Sequence, residues 1–330
     1  MYTVGSFFLS AYLLLITLLG QCLPAKQPAQ DAKATLPLHG GADPWYYVHD
    51  GVYYWCQSTG NGVAVRQANS MAGLTDAEST VVYRAPAGTM WSADYWAPEL
   101  HYLRGAWYIY VAADDGNNEN HRMYVLRGDD PAGPFTMVGN LCDETDLWAI
   151  DGTVLEYEEE LYFVWSGWEE AADGRQNLYI AHMKSPTELD TPRALLSEPT
   201  RKWEKNGMPI NEGPAALYKD GAVYIVYSAS GSWTDDYCLG MLRFTGGDVM
   251  NKACWAKCPV AVFTAQDTAW GPGHCSFVQT PTEDYIVYHA NTESGTGWNG
   301  RSVRAQPVRW IGRVPVFGKP LPAGSEVTLP

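Results

Sequence analysis

Five ionisable residues of this 330-residue sequence keep a regular position relative to the strand-like segments that follow them. Each stands next to proline or glycine, and each lies six to nine residues before a segment of alternating aromatic and aliphatic residues. A single carboxylate of this kind is usually a solvated or capping residue, but a set repeated in phase indicates a site. The five residues are Asp43, Glu99, Asp151, Glu212 and His274.

Carboxylates that face one another can perform general acid–base chemistry, and glycoside hydrolysis is the reaction that needs such a pair. One carboxylic acid protonates the departing oxygen, while a carboxylate activates water or attacks the sugar. A third carboxylate nearby raises the proton affinity of the acid and keeps it protonated near neutral pH. We therefore predict that Asp43, Asp151 and Glu212 are catalytic.

The other two residues of the set each allow two interpretations. Glu99 is either a member of the site or a structural anchor between repeats, because Trp96 and Pro98 stand beside it. His274 is either a satisfied core histidine or a ligand for water or a metal ion on the central axis.

Tryptophan side chains near the same segments are candidates for binding sugar, because a flat ring can stack on the apolar face of a pyranose or furanose. We predict that Trp45, Trp96 and Trp168 contact the substrate. The alternative for each of them is ordinary core packing.

The elements that must position these residues follow from an internal repeat. Period-2 alternation indicates a strand, and a turn just before it indicates the second strand of a hairpin. Successive copies start 54 to 62 residues apart, which suits a four-stranded blade, so the sequence predicts an all-β, five-bladed β-propeller. The five copies start at Gly51, Gly105, Glu160, Gly221 and Glu283.

Composition and charge limit the class of ligand. With 14 Trp, 21 Tyr and only 18% charged residues, the chain is too aromatic and too weakly charged to be disordered. A formal net charge of −15 argues against nucleic acid, since a phosphate backbone requires a basic surface. We expect a neutral partner.

The N-terminus is predicted to be a targeting segment. Residues 6–20 form an apolar run too short for a transmembrane helix, and Leu19-Gly20-Gln21-Cys22 is similar to a lipoprotein cleavage site. We predict an export signal over residues 1–22, a solvated tether over 23–36 and a single propeller over 37–330. Two outcomes stay open: a lipid anchor at Cys22, which would be the only link to a membrane, or cleavage with release to the periplasm or the medium.

Six further cysteines follow Cys22, and their spacing does not fit a zinc site. Six cysteines allow 15 pairings, among which the sequence does not choose. The short separation of Cys254 and Cys258 suggests a local disulfide.

The motif series resembles that of glycoside hydrolase family 43 over roughly residues 38–320. The motifs are Asp43-Pro, Trp96-Ala-Pro-Glu99, Ile150-Asp151-Gly, Asn211-Glu212-Gly-Pro and Gly271-Pro-Gly-His274. The resemblance implies a five-bladed propeller and an inverting mechanism, with Asp43 as general base, Glu212 as general acid and Asp151 as the residue that tunes the acid. It also implies that His274 lies by a structural calcium or other ion, that no cofactor is needed for the chemistry, and that Arg301 binds substrate.

Three further motifs are most similar to the α-L-arabinofuranosidase and exo-arabinanase branch of that family. The implied substrate is a neutral plant cell-wall polysaccharide, namely arabinan or its oligosaccharides. A β-xylosidase or an arabinoxylan-debranching enzyme on the same fold is the nearest alternative, and a non-catalytic carbohydrate-binding propeller is the alternative from another class. The three motifs are Trp96–His101, Trp165–Trp168 and Arg301–Gln306.

Overall fold

Alternating aromatic and aliphatic residues form strands throughout the chain, because branched and aromatic side chains pack well on a pleated, buried surface. The computed structural model describes residues 31–172 and 174–330, so the predicted export signal and Cys22 lie outside the described residues. Two short strands precede the first repeat: β1 (Ala32–Thr35) and β2 (His39–Gly40).

The strands that follow form five antiparallel sheets of four or more strands, which are the blades of a five-bladed propeller. Blade 1 contains β3 (Trp45–His49), β4 (Val52–Ser58), β5 (Gly62–Ala68) and β6 (Thr80–Arg84). Blade 2 contains β7 (Ala93–Leu103), β8 (Ala106–Asp114), β9 (Arg122–Gly128) and β10 (Thr136–Asn140). Blade 3 contains β11 (Ala149–Tyr157), β12 (Glu160–Trp168), β13 (Gln176–Ser185), β14 (Glu188–Leu189) and β15 (Ala194–Ser197).

The last two blades complete the ring, and the predicted five-bladed fold is confirmed. Blade 4 contains β16 (Asn211–Lys219), β17 (Ala222–Ala229), β18 (Cys238–Phe244) and β19 (Trp255–Lys257). Blade 5 contains β20 (Trp270–Gln279), β21 (Asp284–Asn291), β22 (Arg301–Ile311) and β23 (Val314–Val316), and it takes β2 as a further strand. The last strand is β24 (Glu326–Leu329).

Helices in the described residues are short 3-10 turns in the loops, and none is long and apolar enough to cross a membrane. They span Ala72–Leu74, Asn118–Asn120, Lys202–Glu204, Lys252–Cys254 and Gly297–Gly300.

The first strand of each blade lies nearest the central axis. β3, β7, β11, β16 and β20 each sit at one end of their sheet's strand order, and each contacts its neighbours around the ring. The repeated aromatic segments are the second strands, β4, β8, β12, β17 and β21, as the hairpin pattern predicts. The ionisable residue of each repeat is therefore carried at or beside an innermost strand.

The N-terminal strands close the ring. β2 pairs with β22 as the outer strand of blade 5, and β1 pairs with β24 in a separate two-stranded sheet. The prediction of a tether up to residue 36 is therefore wrong for its last residues. Leu36 is buried with Val327 and Leu329 in an apolar cluster, so burial of these side chains holds the segment against the propeller.

All six cysteines in the described part of the chain are free, so the predicted disulfide between Cys254 and Cys258 is wrong. Strand β19 lies between the two residues and extends the backbone. An extended segment of this length separates the Cα atoms by roughly 10 Å or more, whereas a disulfide needs less than about 7 Å.

Candidate active site

Irregularities in the innermost strands turn the ionisable side chains toward the axis. The pairing of β11 with β12 shifts register between Ile150 and Thr153, and that of β16 with β17 shifts between Glu212 and Ala215. An extra residue in one strand bends that strand and re-aims a side chain. Asp151 and His274, at such shifts, adopt positive φ angles of 56° and 45°, and Asp43, in the bend before β3, has a φ of 48°.

The residue after Glu212 is a glycine because its backbone has a positive φ angle and because the His274 ring leaves little room for a side chain. Gly213 has φ +52°, and a Cβ there would lie 3.2 Å from the His274 ring. Its backbone N–H donates to Oδ2 of Asp151 over 3.0 Å. The Glu-Gly-Pro motif therefore ties blade 4 to the carboxylate of blade 3.

A cavity of about 530 Å³ collects the predicted residues from several blades. All three predicted catalytic acids line it, and so do His274, Arg301, Trp96 and Trp168. The volume is in the usual range for a small-molecule site. These residues are far apart in sequence, and the ring of blades brings them to one cavity.

Asp43 lies in a cluster of basic groups. Its Oδ1 is 3.2 Å from Nδ1 of His274, 3.3 Å from Nδ1 of His289 and 3.5 Å from Nη1 of Arg301. Burial raises the pKa of this carboxyl, but His274, His289 and Arg301 together outweigh burial and hold it well below its usual range. Asp43 is therefore ionised near neutral pH, which is the state that a general base requires.

Glu212 has the opposite environment. It is buried, and its Oε1 accepts a hydrogen bond from the Tyr237 hydroxyl over 2.8 Å. Burial and the nearby charge of Asp151 raise the pKa of Glu212 well above its ordinary value, although Tyr237 and Arg301 act in the other direction. Glu212 therefore keeps its proton near neutral pH and can donate it.

The pKa of Asp151 is subject to both kinds of influence. Burial, opposed by His274 and reinforced by Asp43, raises its pKa to about 6. Nδ1 of His274 is 3.9 Å from Oδ2 of Asp151. Above about pH 6 the Asp151 carboxylate is charged and favours the protonated form of Glu212.

Glu99 fits the structural interpretation, because it does not line the cavity and bonds to a neighbour in its own blade. It is buried, and its Oε2 lies 2.9 Å from Nε2 of His101 on the same strand. Burial raises the pKa of Glu99 and lowers that of His101 to about 3, so both groups are neutral and share one hydrogen bond. The two buried side chains therefore satisfy each other's hydrogen-bonding groups without forming an ion pair.

The ion expected near His274 stays a prediction. Calcium takes six to eight oxygen ligands, and a histidine ring offers it only nitrogen. Nδ1 of His274 lies beside the Asp43 and Asp151 carboxylates. Among residues 31–172 and 174–330, no three histidine, cysteine or acidic side chains are arranged to hold a metal. The described residues thus do not form a metal cage, and no chemical step below uses one.

The predicted tryptophans fall into two groups. Trp96 and Trp168 line the cavity, where Trp96 stacks on His121 and Trp168 stacks on Trp148 at 4.7 Å. Trp45 does not line it. Its Nε1 donates to the carbonyl of Leu100, so this indole connects blade 1 to blade 2 and packs between them.

Four residues with a place at the site escaped the sequence analysis. Trp233 and Trp298 line the cavity from the loops of blades 4 and 5, and their rings meet edge to face at 5.7 Å. Tyr237 and His289 contact Glu212 and Asp43 from behind. Of these four, only His289 could have been recognised in the sequence, because it is a polar residue directly after the apolar residues 285–288 within β21.

Several known proteins are similar to this chain over most of its length. The family described as Glycosyl hydrolases family 43 matches residues 37–313. The alpha-L-arabinofuranosidase 43 of Humicola insolens is 32% identical over 92% of this chain, which spans 66% of that relative. An extracellular exo-alpha-(1->5)-L-arabinofuranosidase of Streptomyces chartreusis is 34% identical over 76% of this chain and 79% of its own length.

A solved structure gives the same result for the fold. The alpha-L-arabinofuranosidase from Lactobacillus brevis superposes with a TM-score of 0.83 at 34% identity, over 88% of this chain and 98% of that one. The family match covers most of the described residues, including every predicted catalytic acid. The chain therefore belongs to glycosyl hydrolases family 43.

Proposed function

We propose that this protein hydrolyses terminal α-L-arabinofuranosyl linkages in arabinan or arabino-oligosaccharides with inversion of configuration. The observation that carries the proposal is that Asp43, beside His274 and Arg301, and Glu212, buried and hydrogen-bonded to Tyr237, line one cavity of about 530 Å³. The names of the relatives from Humicola insolens and Streptomyces chartreusis support the choice of sugar.

Each carboxyl has one task in this mechanism. Glu212 gives its proton to the glycosidic oxygen as the bond to the anomeric carbon breaks. Asp43 takes a proton from a water molecule, whose oxygen forms the new bond from the opposite face. Asp151 remains charged and keeps Glu212 protonated until the substrate oxygen accepts the proton.

Aromatic side chains and one arginine hold the sugar in the cavity. We expect Trp96, which is 39% exposed, to stack on the ring of the bound sugar and Arg301 to donate hydrogen bonds to its hydroxyls. Trp168 is 3% exposed and stacked on Trp148, so it contributes to the wall of the cavity. Trp233 and Trp298 are 40% and 58% exposed at the rim, where they can contact a further sugar unit. A neutral polysaccharide fits this set, since the chain carries a net charge of −15 and would repel an anionic polymer.

The reaction needs no cofactor under this proposal, because the acid and the base are both side chains of the protein. We expect treatment with a chelator followed by gel filtration to leave kcat unchanged. A loss of kcat that added calcium restores would instead place a required ion near His274.

We also propose that the protein acts outside the cytoplasm. The Streptomyces chartreusis relative is named as extracellular, and the apolar run over residues 6–20 has the length of an export signal. Mass spectrometry of the mature N-terminus distinguishes a lipid on Cys22 from simple cleavage.

A release assay tests the activity. Purified protein is incubated with an aryl α-L-arabinofuranoside, an aryl β-D-xyloside and debranched arabinan, and released sugar is measured. We expect release from the first and third substrates. Release from the xyloside alone would favour the β-xylosidase alternative, and binding to arabinan without any release would favour the carbohydrate-binding propeller.

Proton NMR of the first product tests inversion. An inverting enzyme must fit water between the base and the sugar, so we expect the Asp43 and Glu212 carboxyls to lie roughly 6.5–9.5 Å apart and β-arabinose to appear first. Initial release of the α-anomer would contradict inversion.

A further inference from the structure

Tyr237 stands directly behind the general acid. It is 1% exposed, and its hydroxyl donates to Oε1 of Glu212 over 2.8 Å. Burial and the neighbouring Glu212 raise the pKa of Tyr237 well above its usual value, so the phenol keeps its proton and remains the donor. The acceptor oxygen Oε1 is thereby engaged by the protein.

The ring of Tyr237 also touches the residue behind the base. It stacks in parallel on the imidazole of His289, with centroids 5.7 Å apart and an interplanar angle of 4°. His289 is 1% exposed, and its Nδ1 accepts a hydrogen bond from the backbone N–H of Asp43 over 3.2 Å. Tyr237 and His289 therefore connect the acid to the base without lining the cavity.

The fold reserves space for this connection. A Cβ on Gly273 would lie 2.2 Å from the Tyr237 ring. Gly273 of the Gly-Pro-Gly-His motif in blade 5 thus admits a tyrosine that comes from blade 4. This gives the motif a role besides placing His274.

We propose that Tyr237 is a positioning residue, which holds Oε1 of Glu212 so that the proton is carried and delivered by Oε2, and which supports Asp43 through His289. The proposal rests on the proposed role of Glu212 as general acid. A neutral carboxyl has one carbonyl oxygen that accepts and one hydroxyl oxygen that donates. A donor fixed on Oε1 therefore assigns the proton to Oε2.

The charged and titratable groups that face Glu212 determine the expected pH effect. They are Asp151 and Asp43, which raise its pKa, and Arg301 and the Tyr237 hydroxyl, which lower it. His274 lines the same cavity on the side of Asp43. Removing the Tyr237 hydroxyl deletes one lowering contribution, so the pKa of Glu212 rises and the alkaline limb of kcat moves to higher pH.

The test substitutes Tyr237→Phe and uses Tyr227→Phe as the matched control. Tyr227 is also fully buried in blade 4, and its hydroxyl donates over 2.9 Å to a buried carboxylate, Glu204, outside the cavity. Both variants lose one comparable hydrogen bond, but only Y237F loses it at the acid. The rates are measured against pH on an arabino-oligosaccharide and on a dinitrophenyl arabinofuranoside.

For Y237F we expect kcat on the oligosaccharide to fall about 10- to 100-fold, because a misplaced acid aids a poor leaving group badly. Activity on the dinitrophenyl substrate falls less than about threefold, which shows that the variant folds. Y227F keeps the wild-type ratio of the two rates and the wild-type alkaline limb. Equal rate losses on both substrates with an unmoved limb in Y237F would overturn the proposal.

A measurement without catalysis separates this inference from the proposed function. Carbon-13 NMR of labelled glutamate follows the Glu212 carboxyl, assigned by its absence in Glu212→Gln. We expect its titration midpoint to be higher in Y237F than in the wild type and unchanged in Y227F. An unchanged midpoint in Y237F would overturn the inference, whereas a wild type inactive on every arabinoside would contradict only the proposed function.

Discussion

Asp43 and Glu212 are the same kind of group in one cavity, and their neighbours make one a base and the other an acid. Oδ1 of Asp43 is within 3.5 Å of the His274 imidazole and the Arg301 guanidinium, which stabilise its charge. Glu212 is buried beside another carboxylate, which destabilises its charge. Two carboxyls whose pKa values are pushed apart in this way can serve as an acid–base pair at one pH.

Substitution of each residue separates the two roles. Glu212→Gln should lose about 10²- to 10⁴-fold in kcat on an arabino-oligosaccharide but far less on a dinitrophenyl arabinoside, because an activated leaving group departs with little protonation. Asp43→Asn should slow both substrates alike, since water must be activated in either case. Steady-state rates on the two substrates check this.

The reverse pattern would exchange the two assignments. Equal losses for Glu212→Gln, together with a leaving-group dependence for Asp43→Asn, would make Asp43 the acid. Circular dichroism of both variants controls for folding, since Gln and Asn keep the shape of the acids they replace.

Asp151→Asn should move the alkaline limb of kcat to lower pH. The Asp151 carboxylate raises the pKa of Glu212, and it is charged above about pH 6. Without that charge, Glu212 loses its proton at a lower pH, so activity is lost earlier as pH rises. A pH–rate profile of kcat on arabino-oligosaccharide checks the shift, and an unmoved alkaline limb would exclude this tuning role.

At the scale of the elements, irregularities in the innermost strands connect the sequence motifs to the site. In β11, β16 and β20 a register shift falls at a motif glycine, namely Gly152, Gly213 and Gly273, whereas a regular strand would point its side chains alternately at the two neighbouring blades. The loops between outer strands supply the rim, including Trp233 and Trp298. Strand β16 thus holds the acid, the bend before β3 holds the base, and loops shape the entrance.

Gly273→Ala tests the close approach of blade 5 to Tyr237. The new Cβ would lie 2.2 Å from the Tyr237 ring, so we expect a loss of about 1–3 kcal/mol in the free energy of unfolding together with a lower kcat. Urea unfolding and rates on an aryl arabinofuranoside measure both effects. Gly40→Ala is the control, because a Cβ there meets nothing within 4 Å, and it should leave stability and kcat unchanged.

At the scale of the whole molecule, the ring depends on its N-terminal strands. β2 completes blade 5, and β1 pairs with β24 through contacts such as Ala32 with Leu329. Blade 1 begins only after these strands, and Leu36, Val327 and Leu329 pack in one cluster with residues of blades 5 and 1. β2 covers part of the outer edge of β22.

Truncation tests this closure. A chain that begins at residue 31 should unfold at the same urea concentration as a chain that begins at residue 23, because both keep β1 and β2. A chain that begins at residue 42 should lose more than the roughly 2–5 kcal/mol expected for removing one buried leucine such as Leu36. Equal urea midpoints for all three chains would show that the N-terminal strands do not stabilise the ring.

The sequence by itself determined the number of blades, the strand that carries each ionisable residue and the three acids that line the cavity. These features are encoded locally, in alternation along single strands and in motifs of three or four residues. The tertiary structure decided which tryptophans reach the cavity, replacing Trp45 with Trp233 and Trp298, and it excluded the disulfide. It also decided which groups stand behind the acids. Asp43 and His289 are 246 residues apart, and only closure of the ring brings them into contact.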